Sequence, residues 1–163
     1  MAMVWQQDEL FPTASETEIQ RTKFLLCKCK SMLLLMNDYE KFTRDMQQVA
    51  TDGEVARRID QDELHADKTV NAVILIEKQR WVYEQYQLYT GVIRRATSLI
   101  QDKEARDAIQ HRYIEGHSFK ETILFFRYGL SDSTIRRKLD EGIRSISNTL
   151  KLMGFFEKDD EEV

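Results

Sequence analysis

A single proline, Pro12, and six glycines are all that punctuate 163 residues. Sandwiches and barrels turn every dozen or so residues and need breakers at that rate. A chain this poorly supplied is confined to long helices, and the fold class expected is all-α. The 42% of hydrophobic residues suffices for a packed core and excludes wholesale disorder. The length fits one, or at most two, domains of roughly 100–200 residues each. The longest apolar runs, Met32–Met36 and Ala72–Ile76, fall far short of the roughly 20 residues of a membrane span. Asp8 and Glu9 stand where a secretion leader would be basic and apolar. A soluble, cytoplasmic protein with no membrane partner is expected.

Residues 1–14 read as an extended arm, with Trp5, Leu10 and Phe11 available to pack on the body. Residues 15–101 read as a helical region acting as a bundle or dimerisation element. Ser15 and Glu18 have capping-box spacing, and Leu25, Cys29, Met32, Met36 and Tyr39 recur every three or four residues. Leu26, Leu33, Leu34 and Leu35 widen that face until the helix needs cover on more than one side. Residues 50–67 are polar, contain Gly53 and lose the period, which marks a connection with a short helical turn around Val55–Ile59. The next helix, Lys68 to Ile100, carries two apolar tracks. One is Val70, Ile74, Trp81, Leu88, Val92 and Leu99; the other is Val73, Ile76, Tyr83, Tyr86, Ile93 and Ile100. Two stripes call for two neighbours: the N-terminal helix, and either the C-terminal module or a second copy of the chain. Trp81, Tyr83 and Tyr86 are the candidate oligomer or interdomain contacts here.

Residues 102–153 carry the function. Asp102 can cap a helix through Ala105, Ile109 and Tyr113, which Gly116 ends. Ser118 and Glu121 form a second capping box, opening a short helix through Phe119, Ile123 and Phe126 to Tyr128. Gly129 supplies a tight turn. Ser131 then caps a last helix whose apolar positions are Ile135, Leu139, Ile143, Ile146 and Leu150. Two short helices, a glycine turn and an amphipathic third helix make a helix-turn-helix pattern. On the wheel of that last helix, Ser133, Arg137 and Arg144 fall opposite the apolar stripe, with Thr134 and Arg136 on its flanks.

Recognition helices place base-reading residues in these first turns, so Ser133, Thr134, Arg136 and Arg137 are the candidate base contacts. Arginine suits guanine through its paired donors, and hydroxyls suit bases or phosphates. His117, Ser118, Lys120, Ser131, Lys138 and Arg144 are the candidate phosphate contacts. Leu124, Phe125 and Tyr128 face away from the module core, and contiguous exposed apolar residues mark a partner. They are read as packing on the long helix's second stripe or as a dimer contact.

The net charge of −4 does not exclude a nucleic-acid partner once it is mapped along the chain. Residues 1–101 hold 13 basic against 15 acidic side chains, and residues 102–153 hold 10 against 8. Residues 154–163 hold one lysine against five acids, an acidic tail of the solvated kind. The helix-turn-helix segment is thus the one net-positive stretch. The bland alternative is that Arg136-Arg137-Lys138 is an ordinary solvated helix face.

Signatures of catalysis are absent from the sequence: there is no HExxH, Walker-type loop, GxGxxG or nucleophile elbow. Cys27 and Cys29 point about 200° apart on a helix and suit core and rim rather than ligation. His65, His111 and His117 fall on different elements without a partner cysteine. No catalysis, metal or other cofactor is expected.

The run Arg112-Tyr113-Ile114-Glu115-Gly116-His117-Ser118 to Glu121, followed by Leu130-Ser131-Asp132-Ser133-Thr134-Ile135-Arg136-Arg137, resembles the region 4 module of sigma-70-type factors. The wider layout is similar to the ArpU-type regulators of Gram-positive phages and prophages, with Leu10-Phe11-Pro12 near the start, a helical N-terminal half and this length. The motif-bearing part covers residues 105–150. The resemblance implies a bacterial host cell, control of phage late genes, binding of double-stranded promoter DNA and contact with RNA polymerase. The stretch from Glu121 to Ser131 is longer than the family's, and Leu124 or Phe125 stands where a small alanine is usual. That departure implies a longer or differently packed second helix. The expectation is a sequence-specific DNA-binding transcriptional regulator, a homodimer, whose N-terminal helices provide dimerisation or polymerase contact. The alternatives are a sigma-like module that docks on RNA polymerase, and a DNA-packaging subunit of the phage small-terminase type.

Overall fold

The first helix opens where a reciprocal cap can form. The Ser15 hydroxyl accepts the Glu18 N–H at 3.3 Å, and the Glu18 carboxylate accepts the Ser15 N–H at 3.0 Å. The structure is a computed structural model that describes residues 10–57, 66–126 and 129–157. Helix α1 spans Glu16–Arg57 and α2 spans Ala66–Ser98. Helix α3, Lys103–Ile109, runs directly into a π-helical turn, Gln110–Ile114. Helices α4, Phe119–Phe125, and α5, Asp132–Leu152, complete the order. The fold is all-α, with no strand among the described residues.

Helix α1 continues through Gly53 to Arg57, into the stretch expected to be a connection. One glycine inside a helix costs only about 1 kcal/mol, and a polar composition alone does not end a helix that has neighbours elsewhere. The remainder of that connection, His65 and Trp5 lie outside the described residues.

The chain divides into two compact units, one of residues 1–30 with 90–163 and one of residues 31–89. In the first, α1 turns Thr22, Leu26 and Cys29 inward, and the end of α2 contributes Ile93, Ala96, Thr97 and Ile100. Ala105, Ala108, Ile109, Tyr113 and Ile114 are buried from α3 and the π turn. From α5 the buried residues include Ile135, Leu139, Ile143, Ile146 and Leu150, the stripe its period requires. Helices α3 and α5 meet at a point with room for no extra atom. A Cβ on Gly142 would run into the Ile109 side chain and sit 3.4 Å from the Ala105 carbonyl oxygen. The segment before α1 is fastened to the far end of α5. Ala14 donates its N–H to Asn148 Oδ1 at 2.8 Å, and Lys151 reaches both the Thr13 carbonyl and, at 2.9 Å, Glu18. Leu10 and Phe11, expected to pack, remain exposed; main-chain bonds fasten the arm instead.

In the unit of residues 31–89, α1 and α2 pair through aromatic and polar contacts. Tyr39 stacks on Tyr83 at 4.6 Å, and the Tyr83 hydroxyl bonds Glu40 and Gln87. Leu35, Phe42, Val82 and Tyr86 line a cleft of about 470 Å³ beside them. One side of each helix is used in this way. Leu34 and Leu35, expected to be covered, are 60% and 52% exposed. On α2, Val70, Ile74, Trp81 and Leu88 of the first track are exposed, as are Val73 and Ile76 of the second.

Two glycine replacements should move stability in opposite directions. Gly142→Ala overpacks the α3–α5 crossing, at a cost of about 1–3 kcal/mol that exceeds the roughly 1 kcal/mol gained in helix propensity. A Cβ on Gly91, inside α2, meets nothing within 4 Å, so Gly91→Ala keeps only the gain. Thermal unfolding followed by circular dichroism should show a lower Tm for the first and a higher one for the second.

Candidate nucleic-acid interface

The N-terminus of α5 is built by its cap. The Ser131 hydroxyl accepts the Thr134 N–H at 3.3 Å and is 2.8 Å from the Thr134 hydroxyl, with Ser133 Oγ at 3.3 Å. With Ile135 and Leu139 turned into the core, the next positions around the helix point to solvent. Ser133, Arg136 and Arg137 are exposed. Thr134, the fourth candidate base contact, is half-buried, and its hydroxyl belongs to the cap. The Arg136 guanidinium lies 5.0 Å over the Phe119 ring, which holds it at the rim of a cleft of about 300 Å³ that Lys23 and Asp140 also line. Arg137 is exposed and, among the described residues, makes no ion pair.

Lys138 does not stand with these arginines. Its ammonium is gripped by Asp102, with Glu104 and Glu141 at 3.7 and 3.8 Å, and its side chain is only 17% exposed. The hydrogen bond between them raises the Lys138 pKa above 10.5 and is the main cause that lowers Asp102 below 3.8. Asp102 also accepts the Glu104 N–H at 3.0 Å as the cap of α3, so one carboxylate ties the start of α3 to the second turn of α5. Lys138 is therefore corrected from a phosphate contact to an internal clamp. Its partner lies 36 residues back in the chain, beyond any local pattern.

The remaining phosphate candidates divide. Lys120 and Ser131 are exposed. Arg144 is exposed too, at a cleft of about 630 Å³ lined also by Pro12, Leu99 and Asn148. The Ser118 hydroxyl accepts the Glu121 N–H at 3.1 Å, and Glu121 accepts the Ser118 N–H at 3.0 Å, so both groups are occupied as the cap of α4. His117 faces Glu121 at 3.2 Å and Glu115 at 3.5 Å, answered by carboxylates rather than held out toward solvent.

Gly116, at φ 78°, turns the chain between the π segment and α4. Lys30 Nζ donates to the Gly116 carbonyl at 3.3 Å and Arg112 Nη1 to the His117 carbonyl at 2.7 Å. This turn brings together the two histidines that the sequence places on separate elements: the rings of His111 and His117 stack at 4.0 Å. His111 is buried with Nδ1 3.1 Å from the Thr122 hydroxyl, and burial is the main reason its pKa falls below 6.5. Phe125 stacks on the other side of His111 at 4.3 Å yet stays 64% exposed, and Leu124 is 59% exposed. Leu124 and Phe125, read as a seam on the long helix or as a dimer contact, are thus open within the single chain. Tyr128 lies outside the described residues. Helix α4 stops at Phe125 rather than running longer. Ahead of α5, the Phe126 carbonyl accepts from both Gly129 and Leu130 at 3.1 Å.

No known protein family matches this chain, and neither does any curated protein or solved structure.

The Asp102–Lys138 pair makes a pH prediction with a definite sign. A lowered carboxyl pKa supplies stability that is present above 3.8 and lost as pH falls through the folded-state value. A raised lysine pKa supplies stability that is present below 10.5 and lost as pH rises through its folded-state value. Asp102→Asn should lower Tm at neutral pH and flatten both the acid and the alkaline limbs of Tm plotted against pH.

Proposed function

We propose that residues 102–153 are the sequence-specific DNA-binding module of a phage or prophage transcriptional regulator, with α5 entering the major groove. The observation that carries this reading is the division of α5. One face is committed to the core through Ile135, Leu139 and Ile143, while Ser133, Arg136 and Arg137 stand exposed in its first turns. Arg137 reads a guanine edge through its paired donors. Lys120 and Arg144 contact phosphates, Arg144 lying two turns further along the Arg137 face. The likeness to sigma region 4 supports promoter DNA as the target. The open Leu124–Phe125 face favours a second role, docking on RNA polymerase through the same module.

Arg137→Ala should weaken binding to DNA fragments selected from host and phage genomes by about 1–3 kcal/mol, with an unchanged circular dichroism spectrum. Fluorescence anisotropy at moderate salt checks it. Retention of full affinity by an Arg136→Ala, Arg137→Ala double variant would overturn the groove assignment.

The protein acts as a homodimer in this reading, through α2. Ile74, Trp81 and Leu88 recur every seven residues and are 46%, 61% and 53% exposed, the seam a second helix covers in a coiled coil. Trp81→Glu should convert the dimer to a monomer in sedimentation velocity without loss of helix content.

A further inference from the structure

We infer that His111, Glu115 and His117 form a binding site for a transition-metal dication of the zinc class, in the turn that joins α3 to α4. One donor atom from each of the three lies within 4.8 Å of the others. The hydrogen bonds around them show which ring nitrogens are left available to a metal. The Thr122 hydroxyl gives its single proton to the Ser118 carbonyl at 2.9 Å. It must therefore accept from His111, whose Nδ1 lies 3.1 Å away, and this leaves the His111 Nε2 lone pair free. On His117, Nδ1 lies 3.2 Å from the Glu121 carboxylate, which has lone pairs only and so requires the proton on Nδ1. In the neutral ring the His117 Nε2 lone pair then faces Glu115 Oε2 at 3.5 Å. A proton on Nε2 satisfies this contact in the free protein, and a dication bound there would take the place of that proton and gain the carboxylate as a ligand.

Metal-ligating histidines almost always donate their second ring N–H to an outer partner that fixes the tautomer. Both histidines here have that partner, Thr122 for one and Glu121 for the other. Two imidazoles and one carboxylate are the donors that zinc accepts in sites that keep a coordination position open to water. Magnesium and calcium require all-oxygen shells. Zn–N bonds of about 2.0–2.1 Å bring two Nε2 atoms to about 3.3 Å with converging lone pairs. The rings now stack at 4.0 Å and 17°, so one of them must turn. His117 is the free one: its side chain is 42% exposed, whereas His111 is buried. Binding swings His117 out of the stack and ties the π turn to the first turn of α4. The metal site does not rest on the DNA reading: none of the three ligands is on α5, and His117, a phosphate candidate from the sequence, is engaged by Glu115 and Glu121.

The test is titration of metal-free, full-length protein with Zn²⁺ alone, with affinity measured by competition against a chromogenic chelator and Tm recorded at each step. One ion per chain should bind and raise Tm, and Mg²⁺ should leave Tm unchanged. His117→Ala and Glu115→Ala, at a half-buried and an exposed position outside the core, should each weaken Zn²⁺ binding about tenfold or more. The proposal is overturned by absence of saturable Zn²⁺ binding, by equal response to Mg²⁺, or by full affinity in both variants, which would place the ion elsewhere.

Discussion

The crossing of α3 on α5 governs everything else in the larger unit. Ala105, Ala108 and Gly142 are small where the helices meet, and Ile109 fills the space a Cβ on Gly142 would take. Interiors packed this densely do not let a helix rotate freely about its axis. The rotation of α5 is therefore set by apolar contacts along one side, and the polar residues on the other side have one direction to face. Asp102 adds a second fixing point, because the cap of α3 and the grip on Lys138 are the same carboxylate. The display of Ser133, Arg136 and Arg137 is thus a consequence of core packing rather than of anything those residues do themselves.

The legible features are those whose partners lie within a helical turn. Ser15 with Glu18, Ser118 with Glu121, and Ser131 with Thr134 form the expected caps, since the bonds close over three residues. The apolar face of α5 is equally plain, because one side of it is uninterrupted. What the sequence hides is long-range. Gly142 looks like a weak point in a helix until Ile109 is placed against it. Lys138 looks like its neighbours Arg136 and Arg137 until Asp102 is placed beside it. His111 and His117 are six residues apart, which a regular helix would set about 120° apart. Their stacking depends on the π turn and on Gly116 at positive φ. The signal that could have found the pair is local after all: a capping-box acid, Glu121, four residues after a histidine.

Helices α1 and α2 show the limit of reading apolar content as burial. Leu34, Leu35, Val73 and Ile76 belong to strongly hydrophobic runs and are all exposed. A helix pair covers one stripe on each member, and these runs are wider than one stripe. The surplus lies in residues 31–89, and Tyr39, Tyr83 and Glu40 hold the pair together where it is closed.

If α5 enters DNA as proposed, the capture of Lys138 also sets how strongly it answers to ionic strength. Each phosphate a protein neutralises releases condensed counterions and steepens the fall of log affinity with log salt by about 0.9. An ammonium already satisfied by three carboxylates releases none. As a DNA-binding helix, α5 armed in this way would have a shallow salt dependence and a slack hold on arbitrary duplex. In the proposed reading, discrimination would then come from base edges and from two modules engaging one duplex together, not from general adhesion to the polyanion.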